Sequence, residues 1–357
     1  MNIIDNNEIN YRDIIIVYCP EKVGSTAIVS SIRISASDKF MVFHTHDNKI
    51  ADLLNDKVNV INVDDILLNN NIINPQTGRQ RKIYIIDIFR TPIERKISYF
   101  FQQISEIHFN NTELNISNYP LEKIFKRFND IFIHMNEIDY YNEIYNCKKI
   151  VKFDFENKFV MEENNNIYYI KLRLQDSEFW DVILSKIFQI KIHLIKDYET
   201  NDKYIGDLYK KFKNEYSIPY NYYKLIESSE MLDIYMGSNE KKIYLDNWAK
   251  KICTSNITHI THIPFTTIEY LIYNKISNEN KFYCANSSNK HYGDDGCLCL
   301  KCKDERKLVV WNIINNIPQT IYIRHPYDNA YNNYIYLKLF SSDITNPVET
   351  IINLVNF

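Results

Sequence analysis

Apolar and polar positions alternate along this chain with two different periods. Three short, β-branched apolar runs are typical of strands buried in a parallel sheet, and they lie at residues 13–18, 39–44 and 82–89. Apolar residues at helical spacing predict helices at residues 25–34, from Pro92, and at 121–135, 176–188, 202–216 and 239–252. Residues 150–174 predict a hairpin, with its turn at 162–166, and then a strand. This alternation predicts a three-layer α/β fold in which a parallel sheet lies between helices.

The strand–turn–helix pattern begins again after Cys253. A new strand is predicted at residues 257–264, and no low-complexity linker precedes it. We therefore expect two domains, one at residues 1–253 and a smaller α/β segment at residues 254–357.

Composition and charge narrow the class of protein. The 357 residues are 45% hydrophobic and 24% charged, which is ordinary for a soluble globular protein. A net charge of -3 favours neither nucleic acid nor a membrane surface, so an anionic ligand must be held by local charges. Residues 1–11 lack the apolar segment of a signal peptide, and no run approaches the roughly 18 apolar residues of a membrane span. Seven cysteines without a secretion signal favour a reducing, cytoplasmic location over a disulfide framework.

The strongest chemical signal follows the first predicted strand. Gly24 permits a tight loop, and Ser25 and Thr26 begin a helix whose first-turn N–H groups and dipole favour an anion. Lys22 adds a positive charge, so this loop is predicted to bind a phosphate-like group. The lysine precedes the glycine, unlike the GxxxxGK[ST] loop, which disfavours a P-loop kinase. A capped helix with a chance lysine is the alternative.

A second signal follows the third predicted strand. That strand delivers Arg90 to the carboxyl edge of the sheet, where open α/β folds bind ligands. Pro92 begins the next helix, and Ser98 lies about two turns into it. An arginine and a hydroxyl there suit a second phosphate. A surface Arg90 that pairs with Glu94 is the alternative.

In this order, the two motifs resemble the donor-binding motifs of sulfotransferases. The family's loop is typically P-K-x-G-S-T, and its second motif is R-x-P-x-x-R-x-x-S. The segment from Arg90 to Ser98 fits the second motif closely, whereas the loop has one residue more, Glu21, between Pro20 and Lys22. A further likeness, to a subgroup associated with capsular polysaccharide synthesis, lies at residues 201–212 and 244–248.

The resemblance implies the P-loop NTPase-like sulfotransferase fold and 3′-phosphoadenylyl sulfate as the donor of the sulfuryl group. It implies that the 3′-phosphate of the donor is held by Arg90 and Ser98. It implies that the 5′-phosphosulfate is held by the loop residues Lys22, Val23, Gly24, Ser25 and Thr26. The implied acceptor is a hydroxyl of a carbohydrate, such as a polysaccharide or another glycan.

Transfer to a hydroxyl also needs a base, because an alcohol is a poor nucleophile at neutral pH. His44 and His46 follow the second predicted strand, and strand alternation places them on one face. They resemble the His-x-His of uronyl 2-O-sulfotransferases, which implies that His46 is the catalytic base and that His44 supports it. Lys22 would then offset charge on the departing bridging oxygen. Two structural or solvated histidines are the alternative, and a metal pair is disfavoured because no further ligand is evident nearby.

The second segment repeats this plan in a reduced form. Residues 258–269 resemble the H-I-P-K-T-G-G-T-S-I-E loop of other sulfotransferases, with Phe265 in place of the lysine and without the glycines. Arg324 and Pro326 resemble the second motif. We expect a truncated, degenerate sulfotransferase-like unit that does not bind the donor, with an unrelated α/β appendage as the alternative.

This segment also contains a group of closely spaced cysteines, at Cys284, Cys297, Cys299 and Cys302. Four thiolates within one short stretch suit a structural, tetrahedral zinc ion. The Cys-x-Cys step is unusual for a zinc ribbon, so four reduced surface cysteines are the alternative.

Taken together, these patterns predict a sulfotransferase that uses 3′-phosphoadenylyl sulfate and acts on a carbohydrate hydroxyl, with His46 and Lys22 as catalytic residues. The second hypothesis is a catalytically inactive nucleotide-binding or structural protein derived from such an enzyme. The reduced second segment indicates that loss of this kind occurs in the lineage.

Overall fold

The computed structural model describes residues 11–54, 57–68, 77–109, 113–195 and 205–254, two strands at 319–324 and 334–339, and residues 73, 260 and 262. The chain divides into two compact units. The first comprises Met1–Arg95, Glu137–Glu199 and Ile218–Ser255, and the second comprises Lys96–Asn136, Thr200–Ser217 and Asn256–Phe357. The predicted boundary between residues 253 and 254 stays a prediction, because most of the residues beyond it lie outside the described part of the chain.

The first unit contains strands β1 (Asp13–Tyr18), β2 (Phe40–Thr45), β3 (Lys49–Leu54), β4 (Lys57–Asn62), β5 (Ile83–Phe89), β6 (Val160–Asn164), β7 (Ile167–Arg173), β8 (Ile218–Pro219) and β9 (Ile252–Cys253). Its helices are α1 (Ser25–Ala36), α2 (Val63–Leu68), the start of α3 (Pro92–Gln102), and, after α4 and α5 of the second unit, α6 (Trp180–Phe188), α8 (Tyr220–Glu227), α9 (Glu230–Tyr235) and α10 (Ser238–Ala249). The second unit contains the rest of α3, α4 (Glu113–Ile116), α5 (Leu121–Ile131), α7 (Gly206–Glu215), β10 (Gln319–Arg324) and β11 (Tyr334–Leu339).

Five strands of the first unit form one sheet in the order β2-β1-β5-β7-β6. The first four run parallel, which confirms the α/β class, but β6 pairs antiparallel with β7 at one edge. The sheet is therefore mixed, which corrects the prediction of a parallel sheet. Asn165 and Asn166, with φ of 51° and 61°, join the two strands in a two-residue turn of the kind that favours an antiparallel hairpin. A parallel connection needs about a dozen residues or more.

Several predicted elements are shorter than their patterns suggested. The helix predicted at 176–188 begins only at Trp180, after a 3-10 helix at Leu174–Phe179. That tighter turn keeps the buried Asp176 against Arg173, whose Nε donates to the carboxylate over 2.6 Å. The helix predicted at 121–135 ends at Ile131, and a 3-10 turn follows. The β3–β4 hairpin and helices α8 and α9 were not predicted, because their apolar positions follow neither period over a sufficient length.

The core of the first unit lies against its sheet. β1 and β5 are buried along their whole length. Ile28 and Ile32 of α1 share one apolar cluster with Trp180 and Leu184 of α6 and with the central strands. Val23, in the loop between β1 and α1, is fully buried in the same cluster, so the core fixes the path of that loop.

A buried ionic cluster, formed by Asp87, Asp139 and Lys171, crosses the sheet. Lys171 Nζ lies 2.6 Å from Asp87 Oδ2 and 2.9 Å from Asp139 Oδ1. Asp87 also accepts the backbone N–H of Tyr141 over 2.9 Å, and Asp139 accepts the hydroxyl of Tyr235 over 2.5 Å. Burial disfavours charge here, but the two carboxylates hold the pKa of Lys171 above its usual value. The cluster thereby anchors the turn at Tyr140–Ile144 to the strands.

The second unit is packed around aromatic rings. Phe128 stacks on Phe132 at 5.4 Å between ring centroids, and Phe100 meets Phe128 edge-on at 5.5 Å. His108 is buried and stacks on Phe100 at 4.8 Å. β10, which ends at Arg324, forms an antiparallel pair with β11. Within the described parts of the chain, no helix is long and apolar enough to cross a membrane.

Candidate functional site

The loop from β1 to α1, residues 19–24, is held in a shape that only certain residues can adopt. Gly24 has φ 88°, and an added Cβ would lie 2.8 Å from Leu174 Cδ1 and 3.0 Å from Trp180 Cη2. Glycine is therefore required both by the backbone and by the packing. Lys22 also has a positive φ, of 63°. Two left-handed residues so close together bend the chain sharply before α1.

The start of α1 suits an anion. Gly24 is the N-cap residue and has no side chain that could cap the first turn, and no acidic residue lies in that turn. Ser25 is buried and Thr26 is exposed. The first-turn N–H groups and the helix dipole together favour negative charge at this position.

The two histidines of the predicted motif both contact this loop. His44 Nε2 lies 2.9 Å from Ser25 Oγ, and His46 Nδ1 lies 2.8 Å from the carbonyl oxygen of Cys19. Their rings meet edge-on at 4.7 Å between centroids. The arrangement follows from the register of β1 and β2, which pairs Val17 with His44 and sends both histidines to one face.

The contact with Cys19 fixes the tautomer of His46. A carbonyl oxygen can only accept a hydrogen bond, so Nδ1 must carry the proton. In the neutral ring, Nε2 is then the unprotonated nitrogen and can accept a proton. Burial is the main cause that lowers the pKa of His46, opposed by the Cys19 carbonyl and Asp47, while Lys22 and Arg95 lower it further. His46 is therefore neutral at pH 7 and is disposed to act as a base.

His44 is more strongly shielded. Burial, then His46, then Arg33 lower its pKa to about 4. A neutral His44 can share a hydrogen bond with the Ser25 hydroxyl. This contact fits the supporting role predicted for His44.

Arg90 reaches the same loop from the end of β5. Its Nη1 donates to the carbonyl oxygen of Lys22 over 2.6 Å. Glu94 accepts hydrogen bonds from Tyr244 Oη and Trp248 Nε1, each over 3.1 Å. Glu94 is therefore bound by two side chains of α10, whereas the alternative interpretation predicted an ion pair between Glu94 and Arg90. Tyr244 and Trp248 belong to the stretch that carries the likeness to the polysaccharide-synthesis subgroup.

Three further residues lie at this loop and were not predicted. Arg95 donates through both Nε and Nη2 to Glu137, at 2.9 and 2.6 Å. Tyr140 Oη donates to the carbonyl oxygen of His46 over 2.7 Å, so the anchored turn holds the backbone of the proposed base. Oε2 of Glu21 is buried at the start of the loop. Arg95 stands at the x-x-R position of the second motif and Glu21 is the extra residue of the loop, whereas Tyr140 had no sequence signal.

The remaining predicted residues fall elsewhere. Ser98 is buried in the part of α3 that belongs to the second unit, so its predicted role stays a prediction. The four cysteines, Cys284, Cys297, Cys299 and Cys302, lie outside the described residues, and the zinc site stays a prediction. The described residues contain no group of three or more histidine, cysteine or acidic side chains that could hold a metal ion.

Comparisons with family models, with curated proteins and with solved structures find no match to this chain.

Proposed function

We propose that this protein is a sulfotransferase that moves a sulfuryl group from 3′-phosphoadenylyl sulfate to a hydroxyl, with a carbohydrate as the acceptor. One observation carries the proposal: His44, His46 and Arg90, which come from two strand ends, all contact residues 19–25, which are the loop and the first residue of α1. A chance lysine before a capped helix would not explain that convergence. The donor and the acceptor class rest on the family resemblance.

The residues at the loop fit an anionic donor. Gly24 removes both side-chain bulk and a side-chain cap from the start of α1. Lys22 supplies positive charge, and Arg90, whose Nη1 donates to the Lys22 carbonyl oxygen, adds a guanidinium at the same loop. Glu21 is the exception, because a carboxylate next to an anion would repel it.

In the proposed reaction, the acceptor oxygen bonds to sulfur while the bond from sulfur to the bridging oxygen of the donor breaks. Nε2 of His46 takes the proton of the acceptor hydroxyl. Tyr140 and Cys19 hold the backbone and the ring of His46, so Nε2 keeps one orientation. Lys22 offsets the charge that develops on the departing phosphate oxygen.

The test is transfer of labelled sulfuryl group from 3′-phosphoadenylyl sulfate to a panel of glycans. We expect a labelled product with the wild-type protein and a loss of about 10²–10⁴ in turnover with His46→Ala, while binding of adenosine 3′,5′-bisphosphate is kept. Binding of the nucleotide without transfer to any glycan would instead favour the inactive nucleotide-binding protein.

A further inference from the structure

Glu21 is the residue by which this loop exceeds the family pattern. It lies between Pro20 and Lys22, at the base of the proposed donor site. Its Oε2 is buried and accepts no hydrogen bond from any residue that the structure describes. A buried carboxylate oxygen without a donor is costly, because charged groups lose their hydration when they are buried.

The charged groups around Glu21 do not remove that cost. Burial is the largest influence and raises the pKa of the Glu21 carboxyl, while Arg95 and Lys22 lower it and Asp47 raises it slightly, with a result of about 7. Arg95 is already engaged with Glu137 through two of its nitrogens. His46, which contacts the carbonyl oxygen of Cys19 in the same loop, is neutral and adds no compensating charge. In the absence of an anion, the carboxyl is therefore balanced between its two protonation states near neutral pH.

We propose that Glu21 is a donor-binding residue that acts in its protonated form: its carboxyl O–H donates a hydrogen bond to the anionic group at the loop, and binding takes up one proton. The inference rests on the proposed function in that an anion occupies this loop. An incoming sulfate-like group adds a like charge beside the carboxylate and offers an acceptor to the protonated acid. The like charge and the new acceptor both favour the protonated form of Glu21.

Because anion binding is coupled to protonation of Glu21, the anion affinity should depend on pH in a specific way. Anion affinity is nearly constant below about pH 7 and falls by up to about tenfold per pH unit above it, because deprotonated Glu21 must first recover its proton. Titration of His46 affects a different range, since its pKa lies below the ordinary value of about 6.5. The decline above neutrality therefore reports on Glu21.

The experiment measures binding of inorganic sulfate by calorimetry between about pH 6 and 9, at constant ionic strength set with chloride. Sulfate stays a dianion throughout this range, so any proton taken up belongs to the protein. Glu21→Gln keeps a hydrogen-bond donor and removes the titration. We expect a flat profile for this variant and, at about pH 9, an affinity up to about 100-fold above that of the wild-type protein. Glu178→Gln, at an exposed carboxyl of the same unit, keeps the wild-type profile.

Two outcomes overturn the inference, and they are distinguishable. If wild type and Glu21→Gln bind sulfate with the same pH dependence, Glu21 is not the linked group, and the donor site itself still stands. If the wild-type protein binds no sulfate at any pH, both the inference and the anion-binding loop are wrong. A urea midpoint for Glu21→Gln equal to or above that of wild type excludes misfolding as the source of a difference.

Discussion

Replacing Gly24 with alanine tests how the loop before α1 is held, independently of any ligand. The residue has φ 88°, a left-handed conformation that costs a non-glycine residue roughly 1–2 kcal/mol. The added Cβ would also lie 2.8 Å from Leu174 Cδ1 and 3.0 Å from Trp180 Cη2. Leu174 can rotate away, but Trp180 is only 1% exposed and is fixed by the core. Overpacking of this kind costs about 1–3 kcal/mol more.

The sum predicts that Gly24→Ala lowers the free energy of unfolding by about 2–5 kcal/mol, measured by urea denaturation. Gly78→Ala is the matched control, because Gly78 also has a positive φ, of 67°, but no atom of the described residues lies within 4 Å of its added Cβ. Gly78→Ala should lower the free energy of unfolding only by the cost of the left-handed backbone, roughly 1–2 kcal/mol. Equal losses in the two variants would refute the packing argument, and no loss in either would refute the backbone argument as well.

Two further predictions concern stability. Lys171→Met leaves Asp87 and Asp139 buried without their cation, so it should lower the free energy of unfolding by about 3–5 kcal/mol in urea denaturation. Lys149→Met, at an exposed lysine, should be nearly neutral. A decrease below about 1 kcal/mol for Lys171→Met would contradict a charged cluster. His108 is buried, and neither ring nitrogen has a hydrogen-bond partner among the described residues, so burial holds its pKa well below its usual value. The unfolded chain therefore binds more protons as the pH falls below about 6.5, and the His108 contribution to stability, present above that pH, is lost on acidification. Thermal melts of His108→Phe should decline less between about pH 7 and 5 than those of the wild-type protein, and parallel declines would contradict this.

The parts of the site that could be predicted from sequence are those encoded locally. A buried strand, a glycine and a helix start lie within about a dozen residues, and strand alternation alone places His44 and His46 on one face. The hydrogen bonds between Gln80 and Asn166 and between Glu94 and Trp248 join residues far apart in the chain, and no apolar periodicity predicts such contacts. The same holds for Tyr140 and His46, whose contact depends on a turn anchored by buried charges.

The position of the antiparallel edge strand in the sheet could not be predicted from sequence either. Residues 150–174 predict a hairpin locally, yet which side of the sheet receives it depends on how β5 and β7 pair. The charge of Glu21 likewise depends on groups distant in sequence, since Arg95 and Asp47 influence the pKa of its carboxyl. Its neighbours in sequence suggest only a polar loop.

The central claim is that the loop at residues 19–25 and Arg90 bind the donor nucleotide, and calorimetry with adenosine 3′,5′-bisphosphate tests it most directly. We expect binding to the wild-type protein that is weakened by roughly 1.5–3 kcal/mol in Arg90→Ala, the range for a hydrogen bond to a charged group. Arg79→Ala, at a largely exposed arginine of the same unit, should bind as the wild type does. Unchanged affinity in Arg90→Ala, or no binding by the wild-type protein, would contradict the account.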